Sequence, residues 1–308
     1  MACICEDMAG TNLFSAERKI NRGFVERNTV AGCVGRAATD ALIEEAGTTP
    51  KPGLVDKISS GAHKDMNYRT FLDSAAAISF YLYKMARIGY DWNQEPEELF
   101  KAIRVVGIEA EKAMFQATMG VNTHKGLIFS AGILSAASAC VYKTTGKFDS
   151  NLIFDTCAKM TCNEMEKDFR EIDRDNPRTN GEKLYVLYGN RGIRGEAQNG
   201  FPSVRNISLP LMKSLKGLGI DDNLINIQVL FMLMASVDDT NVLSRHDLKT
   251  MEYVKHTAKE VLDLGGVFTT EGMKKITGLD DIFIEKNISS GGCADLLAVT
   301  IMMCSLEK

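Results

Sequence analysis

The chain has 308 residues, 45% apolar, 25% charged and 7% aromatic, the make-up of a globular protein long enough to bury a substantial core. A formal net charge of −4 and a pI near 5.7 leave no global basic field for nucleic acid, so a polyanionic ligand would need a local cluster of Lys, Arg, His or metal. Six prolines exclude a proline-rich scaffold, and the low aromatic content argues against a β-sandwich.

Along the chain, residues 1–28 read as a loosely attached N-terminal extension before one large all-α domain, 29–308. MACICEDMAG carries Glu6 and Asp7 and no apolar stretch, so no secretory signal is expected. Val30–Ala46 places Val34, Ala37, Ala38, Ala41 and Leu42 on one helical face, with Gly47 as a stop. TTPKPGLVD then reads as a loop. Helical periodicity predicts further helices near 69–89, 96–118, 125–142, 150–168, 204–217, 222–237, 247–264 and 291–306. Residues 171–182 are a polar connection; an EF-hand reading fails because Arg178 stands where the sharp turn needs glycine. The longest strongly apolar runs, Val229–Val237 and Ala294–Cys304, fall short of the ~20 residues that span a bilayer, so no membrane association is expected. The eight cysteines are scattered without CxxC spacing, which points to reduced thiols and a cytoplasmic location. Cys3 and Cys5 alone have the closeness of a metal hook.

Five polar places stand beside apolar helices: TPKPGLVD (49–56) with GAHKDM (61–66), GVNTHKG (120–126), RGEAQNGFP (194–202), DDTN (238–241) and SGGCADLLA (290–298), all but DDTN containing glycine. Glycine admits close backbone approach, and His, Lys and Arg donate to anionic oxygen. On the helix 96–118, Glu111 shares a stripe with Phe100, Ile103, Gly107, Met114 and Thr118. A carboxylate there needs a partner, either a structural Arg or Lys or a metal or substrate. Asp238 and Asp239 end the run VLFMLMASV, either as a solvated turn closed by Asn241 or as a Mg²⁺ site completed by substrate phosphates. Asp295 follows Gly291 and Gly292 in a first helical turn, where a structural cap is an equally good reading. His63 and His124 lie in Gly-flanked polar segments, with Asp65 close to His63; His246 and His256 read as surface residues. No Walker A loop, GxGxxG after a strand, or HExxH is present.

Taken together and in this order, TPKPGLVD, GAHKDM, GVNTHKG, RGEAxxGFP, DTN and GGxADLLA resemble the triphosphoribosyl-dephospho-CoA synthase family, from about residue 30 to the C-terminus. Within the pattern Cys293 stands where Ser is usual, Asp238 where Gly is common, and Arg245 is followed by His246 and Asp247. The resemblance implies a helical pentosyltransferase. It would move the triphosphoribosyl group of ATP to the ribose 2′-hydroxyl of 3′-dephospho-CoA and release adenine. Its product would go to a transferase acting on the acyl carrier protein of citrate lyase or malonate decarboxylase. It also implies Mg²⁺ beside the triphosphate, with Lys51, His124, Lys125 and Arg194 as cationic contacts. His63, Asn122, Asn241 and Arg245 are further substrate contacts. Asp65, Glu111 and Asp239 are expected around Mg²⁺ or the ribose, Asp56 and Asp295 as additional metal ligands. Glu196 is the expected base, or else a plain surface partner of Arg194. The alternatives are another all-helical Mg²⁺-dependent nucleotide enzyme, such as an ADP-ribosyl hydrolase, and a non-catalytic nucleotide-binding relative. A homo-oligomer is compatible with either.

Overall fold

Side chains with short oxygen-bearing groups set where most of the helices begin. Asn67 and Thr70 form a reciprocal capping box at the start of α2 (Tyr68–Asp91). Asp149, Asp221 and Asp247 accept backbone N–H bonds at the starts of α5 (Ser150–Arg170), α9 (Asp222–Ser236) and α11 (Leu248–Asp263). Each such cap contributes about 1 kcal/mol. The protein was analysed as a computed structural model that describes residues 8–307, with side chains from residue 25 onward. Among the described residues the structure is all-helical, in agreement with the sequence reading.

The first helix, α1, runs unbroken from Met8 to Gly47, through residue 28. Residues 1–7, including Cys3 and Cys5, lie outside the described residues. Then follow α3 (Pro96–Ala117), α4 (Lys125–Thr145), α6 (Asn180–Tyr188), α7 (Gly192–Gln198), α8 (Leu209–Lys216), α10 (Thr240–Arg245), α12 (Thr270–Glu285) and α13 (Gly291–Leu306), interleaved with those above in chain order. The helix expected at 204–217 divides into a π-helical turn, Val204–Ser208, and α8. Four helices were not expected: α6, α7 and α10 are too short to show a period, and α12 carries Gly272 and Gly278. Its stripe of Ile276, Leu279 and Phe283 nevertheless faces the core. The acidic connection is a turn in which Asp173 accepts from the amides of Asp175 and Asn176.

At the centre lies α4, packed against α1, α2, α3, α5 and α13. It is long and apolar enough to cross a membrane, a span the sequence reading passed over, but 72% of that stretch is buried inside the protein. Small residues let neighbours approach: a Cβ at Gly89 of α2 would stand 2.0 Å from the Ala136 carbonyl oxygen of α4. Cys33, Cys140, Cys157, Cys162, Cys293 and Cys304 are free thiols. The α1–α2 loop, the N-terminal ends of α4, α10 and α13, and α7 all contribute to one cleft.

Candidate active site

The α1–α2 loop is built around Asp56. Its carboxylate accepts from Thr49 Oγ1 at 2.6 Å, the Lys51 amide at 3.2 Å, and the Ile58 and Ser59 amides at 2.8 Å each. Its oxygens hold the loop together, and Asp56 is not among the residues that line the cleft, where a metal ligand was expected. The loop delivers Lys51 into the protein, where it is 1% exposed. Its Nζ donates to the Glu45 carbonyl at 2.7 Å and is ion-paired with the Glu45 carboxylate. Burial outweighs the lysine and holds the Glu45 pKa above the usual range. Both line the cleft, but Lys51 is a partnered cation, not a free phosphate contact.

Asp239 joins two helix starts. Oδ1 accepts from the amides of Asn241 at 2.8 Å and Val242 at 3.1 Å, capping α10, while Oδ2 accepts from the Cys293 amide at 2.7 Å in the first turn of α13. Burial still raises its pKa. Two residues further on, Asp295 reaches toward the start of α4, so close that a Cβ at Gly126 would stand 2.4 Å from its Oδ2. Burial, and then the nearby Glu45 and Asp239 carboxylates, push the Asp295 pKa well above its ordinary value. Glu196 of α7 is half-buried; its oxygens accept from Ser203 Oγ at 2.6 Å and the Ser203 amide at 3.2 Å, and burial raises its pKa too.

Cations line the same cleft. Arg245 Nη2 lies 3.2 Å from His63 Nδ1, and His63 Nε2 lies 3.0 Å from Ser289 Oγ. Burial and then the Arg245 charge lower the His63 pKa, against the raising effect of Asp65. Lys255 pairs with Asp238 at 2.7 Å. Arg191 pairs with Glu166 at 2.8 Å, its guanidinium stacked over Phe169.

The cleft has a volume of about 900 Å³ and gathers Lys51, His63, Asp65, Asn122, Lys125, Glu196, Asp239, Asn241, Arg245 and Asp295 from the sequence-derived set. Asp65 stands at its edge, 63% exposed and 4.0 Å from His63; it is not among the buried carboxylates. Four expected residues are elsewhere. Asp56 is described above. His124 is buried behind the cleft wall, its Nδ1 2.7 Å from Ser74 Oγ. Burial and the Lys51 charge push its pKa down to about 3, so it is neutral near pH 7 and adds no positive charge for phosphate. Glu111 and Arg194 line a separate side pocket. Glu111 pairs with Lys125 at 3.0 Å, which is the structural-partner reading of that carboxylate. The cleft also contains Glu45, Arg191, Lys255 and Ser289, which the sequence reading missed. Arg191 precedes Arg194 by three residues, but the phase of a helix as short as α7 is not legible, and Lys255 reads as one more exposed lysine on an amphipathic helix.

An all-helical scaffold with a cleft that sets arginine and lysine against buried, high-pKa carboxylates suits an enzyme for an anionic substrate. Residues 31–308 match the family described as ATP:dephospho-CoA triphosphoribosyl transferase, and the chain belongs to that family. A relative from Escherichia fergusonii, named 2-(5″-triphosphoribosyl)-3′-dephosphocoenzyme-A synthase, is 37% identical over 269 residues, covering 87% of this chain and 89% of its own. One from Vibrio cholerae serotype O1, named a probable synthase of the same kind, is 39% identical over 277 residues, covering 89% and 88%. Protein CitXG of Leuconostoc mesenteroides is 38% identical over 281 residues, covering 89% of this chain and 59% of its own. No solved structure matches the chain. The chain is therefore a transferase of the triphosphoribosyl-dephospho-CoA synthase family; the comparisons support that reading and neither the hydrolase nor the non-catalytic alternative.

Proposed function

We propose that the cleft joins the ribose 2′-hydroxyl of 3′-dephospho-CoA to C1 of the ATP ribose. The C1–N9 bond of ATP breaks, the new C1–O2′ bond forms, the hydroxyl proton passes to a carboxylate, and a proton is returned to the leaving adenine, so that the step neither gains nor loses a proton. By analogy with glycoside cleavage the transition state has oxocarbenium character, which a nearby carboxylate stabilises. The observation that carries this reading is one cleft holding Asp239, Asp295 and Glu196 together with Arg245, Lys255 and Lys125.

Arg245 and Lys255 are the cations assigned to the triphosphate, while Lys125 stands where the cleft meets the side pocket. Glu196 is assigned as the base: burial raises its pKa, which makes a carboxylate a better proton acceptor. Asp239 and Asp295 face the developing positive charge. Among the described residues no cluster of three or more His, Cys, Asp or Glu is placed to hold a metal alone. The fit is instead to an ion arriving with phosphate. Glu45 and Asp239 both act electrostatically on Asp295, and the buried Lys51 pairs with Glu45 alone. Mg²⁺ is suited to one or two carboxylates plus substrate phosphates; Asp239 and Asp295 would hold it, and it would supply charge neutralisation of the triphosphate.

We take 29–308 as the catalytic domain, which the family match from residue 31 supports. A cytoplasmic location is supported by the free thiols, which suit a reducing compartment. The product would serve the acyl carrier protein of citrate lyase or malonate decarboxylase, through a further transferase. Incubation with ATP, Mg²⁺ and 3′-dephospho-CoA, followed by mass detection, tests the reading. Free adenine and a dephospho-CoA adduct retaining all of the ATP phosphates are expected, and EDTA should stop their appearance. ADP, phosphate or free ribose triphosphate would instead show a kinase or hydrolase.

A further inference from the structure

Beside the cleft, between α3, α4, α5 and α7, lies the second pocket, about 270 Å³, lined by Phe100, Ile103, Ile128 and Ile133 among others. It is apolar within and charged at its edges. Arg104 and Asp168 pair at 3.2 Å on one side, while Arg194, Glu111 and Lys125 line it elsewhere. Lys125 lines both this pocket and the main cleft. The Arg194 side chain makes no ion pair or hydrogen bond among the described residues, an arrangement that suits an anionic ligand.

We infer that this side pocket receives the pantetheine arm of 3′-dephospho-CoA, with Lys125 and Arg194 at the diphosphate. The inference rests on the proposed function and adds to it a place for the acceptor. The arm is an uncharged chain of methylenes, amides and a gem-dimethyl carbon. A diphosphate joins it to the adenosine whose 2′-hydroxyl must lie in the cleft. A receptor for it therefore needs apolar walls, cations at the diphosphate and an opening toward the cleft. The pocket has the first in its isoleucines and Phe100 and the second in Arg194 and Lys125, and it borders the cleft at Lys125, which lines both. Glu111, 3.0 Å from Lys125, positions that lysine between the two cavities. ATP has no such arm, so the pocket discriminates acceptor from donor.

Gly107 of α3 offers a way to fill the pocket without breaking the fold. It lines the pocket, and a Cβ there would meet only Met85 Cε, at 3.8 Å, an ordinary contact. Calorimetric titration of the full chain with 3′-dephospho-CoA and with ADP, its armless portion, should show the former binding about tenfold tighter. Gly107→Leu should abolish that advantage and leave ADP binding within about twofold. In the adenine-release assay, Gly107→Leu and Arg194→Gln should each raise KM for 3′-dephospho-CoA about tenfold with KM for ATP little changed. Unchanged acceptor binding and KM in both variants would overturn the assignment, as would a rise confined to ATP. Arg194→Gln leaves the apolar wall intact and decides the matter should Gly107→Leu fail to fold. A wild-type protein that prefers 3′-dephospho-CoA over ADP through this pocket yet releases no adenine would retain the pocket and refute the transfer. Adenine release by a protein whose acceptor preference survives both variants would do the reverse.

Discussion

Gly126→Ala separates the stability of this protein from its chemistry. The new methyl would stand 2.4 Å from Asp295 Oδ2, where ordinary contact begins near 3.4 Å, so the carboxylate must retreat by about 1 Å. Asp295 is a side-chain end that can rotate, and Gly126 has a helical backbone in the first turn of α4. The steric cost is thus small, while alanine gains up to about 1 kcal/mol of helix propensity over glycine. Thermal unfolding should therefore be unchanged or slightly raised. A displacement of about 1 Å at a catalytic group costs on the order of a hundredfold in rate, so adenine release should fall by about that factor. Rate measurement paired with circular-dichroism melting reads both. A variant with near wild-type turnover and an unchanged melt would show that the position of Asp295 does not matter to the reaction. A strongly lowered melt would show that the backbone, not the carboxylate, gives way.

Removing His124 should change how the protein responds to acid. Its folded pKa is about 3 against about 6.5 in an unfolded chain, so the unfolded state binds the proton first. The stability His124 permits is fully present above about pH 6.5 and is lost toward pH 3, at up to about 1.4 kcal/mol per pH unit. His124→Gln should flatten that dependence in urea unfolding, and an identical slope in both proteins would contradict it. Lys51→Met leaves Glu45 buried without its cation and should cost about 3–5 kcal/mol near neutral pH. Because burial already raises the Glu45 pKa, the carboxyl takes up a proton as pH falls and the loss should shrink; equal losses at pH 5 and pH 8 would argue against a charge origin. Glu111→Gln removes a partner of Lys125 outside the cleft, so turnover should stay above about a tenth of wild type, with the change appearing in acceptor KM. A collapse of kcat would return Glu111 to the catalytic group.

The sequence alone determined the fold class, because a period near 3.6 in apolar residues is a local property of long helices such as α2, α3 and α11. It also marked the loops that build the cleft, since glycine beside His, Lys, Asp and Asn is a local signature too. Asp239 and Asp295 were legible as carboxylates at helix ends, and α12 could have been found from Ile276, Leu279 and Phe283. Which of these residues meet was settled only by tertiary structure. Asp56 and Asp239 are both aspartates in polar segments between helices, yet one spends its oxygens on its own loop and the other links the starts of α10 and α13. Lys51 and Lys125 look alike in sequence, but the first is buried in an ion pair with Glu45, while the second stands exposed between two cavities. His124 reads as a cation until its burial is known. Charge state and partnership depend on solvent exposure and on groups far away in the chain, and neither quantity is encoded in a short stretch of residues.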